Sequence, residues 1–142
     1  QEKLLSDLMI AVIERFTQWR SLPSIRDISG ARRLDWRIRR IAESIRADVA
    51  RNVDIDQLAR EAGLSRSHFF RLFESSIGVP PRVFHNVVRL EHAISAVVTG
   101  DARVADIGVR LGFEVPAHFT RFFRNHTGVS PREFRAVSRL AN

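Results

Sequence analysis

Apolar residues recur every three or four positions along most of the chain, and glycine or proline interrupts the pattern wherever it changes phase. From Glu2 to Arg20, Leu5, Leu8, Met9, Val12, Ile13, Phe16 and Trp19 fall on one broad stripe, which predicts a single amphipathic helix. Leu22-Pro23 stops it, because proline disfavours helical backbone in the residue before it, and Ser21–Gly30 reads as a linker. Arg32–Arg51 resumes helical spacing through Leu34, Ile38, Ile41, Ile45 and Val49, with Asp35 in the early turns where its charge suits the helix dipole. Beyond Asp54 the units shorten. Asp54 is placed to cap a helix over Ile55–Ala62, Gly63 supplies a turn, and Ser65 caps a helix over Arg66–Ile77 that ends at Gly78. A longer helix follows over Pro81–Val98. The short pattern then recurs as Val104–Leu111, a turn at Gly112, Val115–His126, and a last helix opened by Ser130-Pro131. No segment sustains the two-residue alternation of a strand, so the pattern predicts an all-α chain.

That recurrence extends to residue identity. Gly63-Leu64-Ser65 through Phe69, Arg71 and Phe73 to Gly78 and Pro81 is matched, about fifty residues on, by Gly112-Phe113 through Phe119, Arg121 and Phe123 to Gly128 and Pro131. The second copy carries one extra residue after its first glycine. Two copies are too few for a solenoid, and helix, tight glycine turn, helix is the helix-turn-helix arrangement. The sequence therefore divides into an N-terminal helix and linker, residues 1–31, and a body, residues 32–142, of two helix-turn-helix subdomains bridged by a long central helix.

Within the second helix of each unit, the apolar spacing decides which side faces in. Phe69, Leu72 and Phe73 must point to the core of the first copy, leaving Ser67, Phe70, Arg71 and Glu74 outside. Phe119, Phe122 and Phe123 do the same in the second, leaving Pro116, Ala117, Thr120, Arg121 and Arg124 outside. Each copy thus projects one arginine from the same place on its second helix, where a recognition helix carries base-reading side chains into the major groove. Arginine there can bond bidentately to guanine. Phe70 either packs on a neighbouring segment or meets a thymine methyl. Arg82, Arg89, Arg103, Arg110, Arg132 and Arg135 are candidates for phosphate contacts, which fix register without reading sequence; Arg89 has the alternative of pairing with a carboxylate inside the fold. His68 and His118, equivalent and early in their helices, suit turn packing or a phosphate contact better than a metal. A central helix of about 17 residues spans roughly 25 Å, which could set two recognition helices near one DNA turn apart.

Charge sharpens this picture more than composition does. The net charge is +7 with a pI near 11.5, and Lys3 is the lone lysine among 23 basic residues. Such an excess favours a polyanionic partner, nucleic acid ahead of membrane; a helical protein-interaction module with incidental charge is the alternative from another class. At 44% apolar residues the chain can build a real core, and no apolar run approaches the length of a membrane span. Cysteine is absent, which rules out disulfides, thiolate metal sites and cysteine nucleophiles. Asp54-Ile55-Asp56 is explained by helix capping rather than a metal, and there is no HExxH, GxSxG or phosphate-cradling glycine loop. An enzyme, a cofactor and a metal are therefore not expected.

These residues resemble the AraC/XylS family of bacterial transcription regulators from about Arg33 to Ala136. The carriers are Leu58-Ala59, Gly63-Leu64-Ser65, Phe69, Arg71, Phe73, Gly78 and Pro81, then Arg89-Leu90 and Ala93, then Ile107, Gly112-Phe113, Phe119, Arg121, Phe123, Gly128, Ser130-Pro131 and Phe134-Arg135. The resemblance implies a seven-helix DNA-binding domain in which base contacts fall on Ser67, Phe70 and Arg71 in the first recognition helix and on Pro116, Ala117, Thr120 and Arg121 in the second. Backbone-side contacts fall on Arg66 and His118, with His68, Arg82, Arg124 and Arg132 added from the charge pattern. Pro116 and Ala117 lack hydrogen-bonding side chains, so the second helix is expected to rely on Thr120 and Arg121. The implied partners are double-stranded DNA and RNA polymerase, in the bacterial cytoplasm at the nucleoid, usually as an activator. Residues 1–20 read as the tail of an effector or dimerising domain, either packing on the body or joining two copies as a homodimer.

Overall fold

The computed structural model describes residues 34–141, and among them every regular element is a helix. The order is α1 (Trp36–Ala47), α2 (Ile55–Glu61), α3 (Arg66–Ile77), α4 (Pro81–Thr99), α5 (Val104–Arg110), α6 (Pro116–Thr127) and α7 (Pro131–Leu140). The helix expected over Glu2–Arg20, its linker and the start at Arg32 lie outside the described residues. The chain divides between Val88 and Arg89 into two compact units, so that α4 gives its first turns to one and its remainder to the other.

In the unit ending at Val88, α1 begins later and ends earlier than Arg32–Arg51. Asp35 is its N-cap rather than a residue of its early turns: the carboxylate accepts from the Arg37 backbone N–H at 2.9 Å and from the Arg37 guanidinium at 2.8 Å. The chain leaves helical backbone at Asp48, whose N–H closes the last turn on the Ser44 carbonyl. Ile38, Ile41 and Ile45 then face a core that includes Leu58, Phe69, Phe73, Phe84 and Val88. His85 is buried with them, which its sequence context did not reveal. Its Nε2 lies 2.9 Å from the Val49 carbonyl oxygen, and since a carbonyl only accepts, that nitrogen carries the hydrogen.

The unit from Arg89 repeats the plan around Leu90, Ala93, Val97, Ile107, Leu111, Phe119, Phe123 and Val129. The turn between its two short helices closes as in the first copy. Leu64 donates its N–H to the Ala59 carbonyl at 2.9 Å, and Phe113 donates to the Gly108 carbonyl at 2.9 Å. Both second helices stop at a glycine in left-handed backbone, Gly78 at φ 94 and Gly128 at φ 87, a conformation that costs a side-chain-bearing residue dearly. The copies part at Ile77 and Thr127. Both are buried, but the Thr127 hydroxyl sits 2.8 Å from the Phe123 carbonyl and 3.0 Å from that of Val129, satisfying itself inside the core.

A second difference gives a direct test of packing. Gly108 occupies the place held by Ala59, and a Cβ there would meet the Phe119 side chain at 3.0 Å. Alanine would gain helix propensity of about 1 kcal/mol and lose it again to that contact. Gly108→Val adds bulk with no such gain and is expected to destabilise by about 1–3 kcal/mol, read from the midpoint of urea denaturation. An unchanged midpoint would mean that α5 and α6 are not pressed together at this point.

Candidate nucleic-acid interface

α3 is set by its two ends and its buried side. The Ser65 hydroxyl accepts from the His68 N–H at 3.2 Å, Gly78 closes the far end, and Phe69 and Phe73 are fully buried. Their rings lie 5.8 Å apart, and Phe73 meets Phe84 of α4 edge-on at 5.8 Å. With that side fixed, Ser67, Phe70, Arg71 and Glu74 are all exposed. Phe70 is 36% exposed, so this large apolar ring stands at the surface rather than in the core. Arg71 donates from Nε to the Ser67 carbonyl at 3.3 Å, and among the described residues no hydrogen bond occupies its terminal nitrogens. Arg66, in the first turn, donates from Nη1 to Asp56 of α2 at 2.8 Å. His68 and Arg82 are exposed. Asp35 lies near this end of α3: the Arg37 hydrogen bond holds its carboxyl below the usual value, with His68 adding a weaker pull.

α6 is built on the same plan with different ends. Val115 precedes it without a capping side chain, and Pro116 takes the first helical position, where the missing N–H is no loss. Phe119 and Phe123 are fully buried, and Phe123 stands edge-on to Phe134 of α7 at 5.5 Å. Pro116, Ala117, His118, Arg121 and Arg124 are exposed, and Thr120 is half-buried. Ser130 and Glu133 form a reciprocal capping box at the start of α7, which holds exposed Arg132 in its first turn. Within each unit, then, the outward residues of the second helix share one face.

Two of the arginines read as phosphate candidates are committed to the fold instead. Arg89 is half-buried, donates from Nε to the Leu111 carbonyl at 3.2 Å, and lies 4.2 Å over the Phe113 ring. Burial pushes its guanidinium below the ordinary arginine value, and its partners are a carbonyl and a ring rather than the carboxylate considered as its alternative. Arg135 donates from Nε to the Val97 carbonyl at 3.0 Å, and its Nη2 is buried without a hydrogen-bond partner among the described residues. The repeat held the signal for Arg135, since it occupies the place of His85, which binds the Val49 carbonyl in the same way. Arg103 and Arg110 are exposed. Asp56 stands beside Arg66 across the turn at Gly63, a pairing that its place in the capping segment Asp54-Ile55-Asp56 does not disclose. Among the described residues, no cluster of His, Asp or Glu could hold a metal, and no helix is long and apolar enough to cross a membrane.

Comparison with known proteins converges on this region. A family model described as a helix-turn-helix domain matches residues 58–136. The lactose operon transcription activator of Staphylococcus xylosus is 24% identical over 79 residues, covering 56% of this chain and 28% of its own. An uncharacterized HTH-type transcriptional regulator of Staphylococcus aureus is 29% identical over 83 residues, covering 58% of this chain and 11% of its own. The chain therefore spans well under a third of these relatives. Among solved structures, the DNA-binding domain of AdpA, a global transcriptional factor in complex with a target DNA, is similar with a TM-score of 0.69 at 28% identity, covering 74% of this chain and 95% of that one. An AraC-type regulator from Chromobacterium violaceum gives 0.63 at 27% identity, covering 72% and 91%.

Proposed function

The chain belongs to the AraC/XylS family of helix-turn-helix transcription regulators, and from that premise we propose that it binds duplex DNA at specific sites, laying α3 and α6 in major grooves. One observation carries the reading. Arg71 and Arg121 occupy the same position of the repeat, both are exposed, and neither is paired with a carboxylate among the described residues. A solvated arginine has no reason to recur at one place on two helices whose other outward residues differ. Beside Arg71, Ser67 and Phe70 complete the first reading face; beside Arg121, Thr120, Pro116 and Ala117 complete the second. Arg66, His68 and Arg82 in one unit and His118, Arg124 and Arg132 in the other hold the phosphates. Transcriptional control follows from the family, activation is the mode suggested by the name of the lactose operon relative, and RNA polymerase is the partner such a mode would engage. Residues 1–20 supply a homodimer contact, and the protein works at the nucleoid in the bacterial cytoplasm.

The two faces are unlike, so the site is asymmetric. Entry of the two helices into successive major grooves would set the half-elements near one helical turn apart. Selection of bound sequences from random duplexes tests this reading. The expected product is a motif of two different elements about ten base pairs apart. Recovery of no enriched motif would leave the basic charge incidental and favour a protein-interaction module.

A further inference from the structure

We propose that Asp56 is a positioning residue for DNA binding, holding the Arg66 guanidinium at the mouth of the first helix-turn-helix so that its free edge meets a phosphate. This rests on the reading of Arg66 as a phosphate contact. The pair joins the first turn of α2 to the first turn of α3 through a single bond, Arg66 Nη1 to Asp56 Oδ2 at 2.8 Å. One bond uses one of the five guanidinium donors, so Nε and Nη2 remain available on the other edge. Both side chains are open to water, 60% exposed for Arg66 and 52% for Asp56, and a pair so exposed adds little to folding.

The repeat shows that the scaffold does not need it. In the second copy, Ala105 stands at the place of Asp56 and Pro116 at that of Arg66, yet the turn closes with the same 2.9 Å backbone hydrogen bond. What the pair does supply is order in a long side chain. An unrestrained arginine must give up rotamer freedom when it grips a phosphate; one already held by a carboxylate has lost much of it. The pair therefore serves the arginine rather than the turn, and only the first recognition helix has it.

The proposal opposes simple electrostatics in sign. Removing an acidic side chain beside DNA should strengthen binding through charge alone, as expected for Glu74→Ala on the outward face of α3. Asp56→Ala is expected instead to weaken binding, by about two- to five-fold. The test measures affinity of the whole chain for a selected duplex, across a salt series, for D56A, R66A and the double variant, with E74A as the charge control. R66A is expected to weaken binding and make the slope of log affinity against log salt shallower by about one. In the R66A background, D56A should cost nothing further. Binding by D56A as tight as or tighter than the parent would overturn the proposal. So would a loss that persists without Arg66, because Asp56 would then act through the fold. If R66A moves neither affinity nor slope, the phosphate reading of Arg66 has failed first and takes the proposal with it.

Discussion

Phe119→Ala is expected to cost about 3–5 kcal/mol, the largest stability loss of any substitution considered for this chain. The ring is fully buried and lies against Gly108, with Phe113 at 5.4 Å and Phe123 at 6.1 Å between ring centroids. Truncation removes the transfer free energy of the ring and leaves a hole that its neighbours fill only in part. Gly108 has no side chain to move into that hole, and Phe113 is already engaged with the Phe122 ring and the Arg89 guanidinium. Chemical denaturation followed by circular dichroism provides the measurement, and a loss below about 1 kcal/mol would contradict this packing. The consequence reaches beyond stability. Phe119 and Phe123 are what orient α6, so the faces of Thr120 and Arg121 are set by the burial of their neighbours.

This dependence explains which features were legible in the sequence. Arg66–Ile77 is bounded by a capping serine and a left-handed glycine and patterned by inward phenylalanines, so its limits and its outward face both follow from local chemistry. α7 is as plain, since Ser130-Pro131 and Glu133 encode the capping box directly. The bounds of α1 were less so. Asp35 is equally acceptable as an N-cap or as a first-turn acid, and only the bond to the Arg37 N–H decides between them. Arg89 and Arg135 resisted for a different reason. Charge predicts exposure, but a guanidinium can be buried when a carbonyl and an aromatic face receive it, and Leu111, Phe113 and Val97 are brought there by tertiary packing alone. Asp56 and Arg66 are ten residues apart, and their meeting depends on the turn between α2 and α3.

Arg71→Ala and Arg121→Ala are each expected to lower affinity for the selected site by about 5- to 150-fold, the equivalent of about 1–3 kcal/mol for a lost bidentate contact with guanine. The size of the loss matters less than its pattern. A base-reading arginine discriminates, so its removal should flatten preference at one base pair while leaving the rest of the motif intact. On the reading that the two helices enter successive major grooves, the two positions affected should lie about ten base pairs apart. Arg132→Ala offers the contrast. A phosphate contact carries no sequence information, so its loss should weaken selected and scrambled duplexes alike. Four exposed arginines assigned to phosphates, Arg66, Arg82, Arg124 and Arg132, together predict a slope of log affinity against log salt of about −3.6 for the parent chain. Between 50 and 200 mM salt that amounts to about a hundred-fold loss. Equal losses on every sequence for Arg71→Ala would place that residue among the phosphate contacts and leave the first reading face to Ser67 and Phe70. The same result for Arg121→Ala would leave the second face to Thr120, since neither Pro116 nor Ala117 can donate a side-chain hydrogen bond to a base.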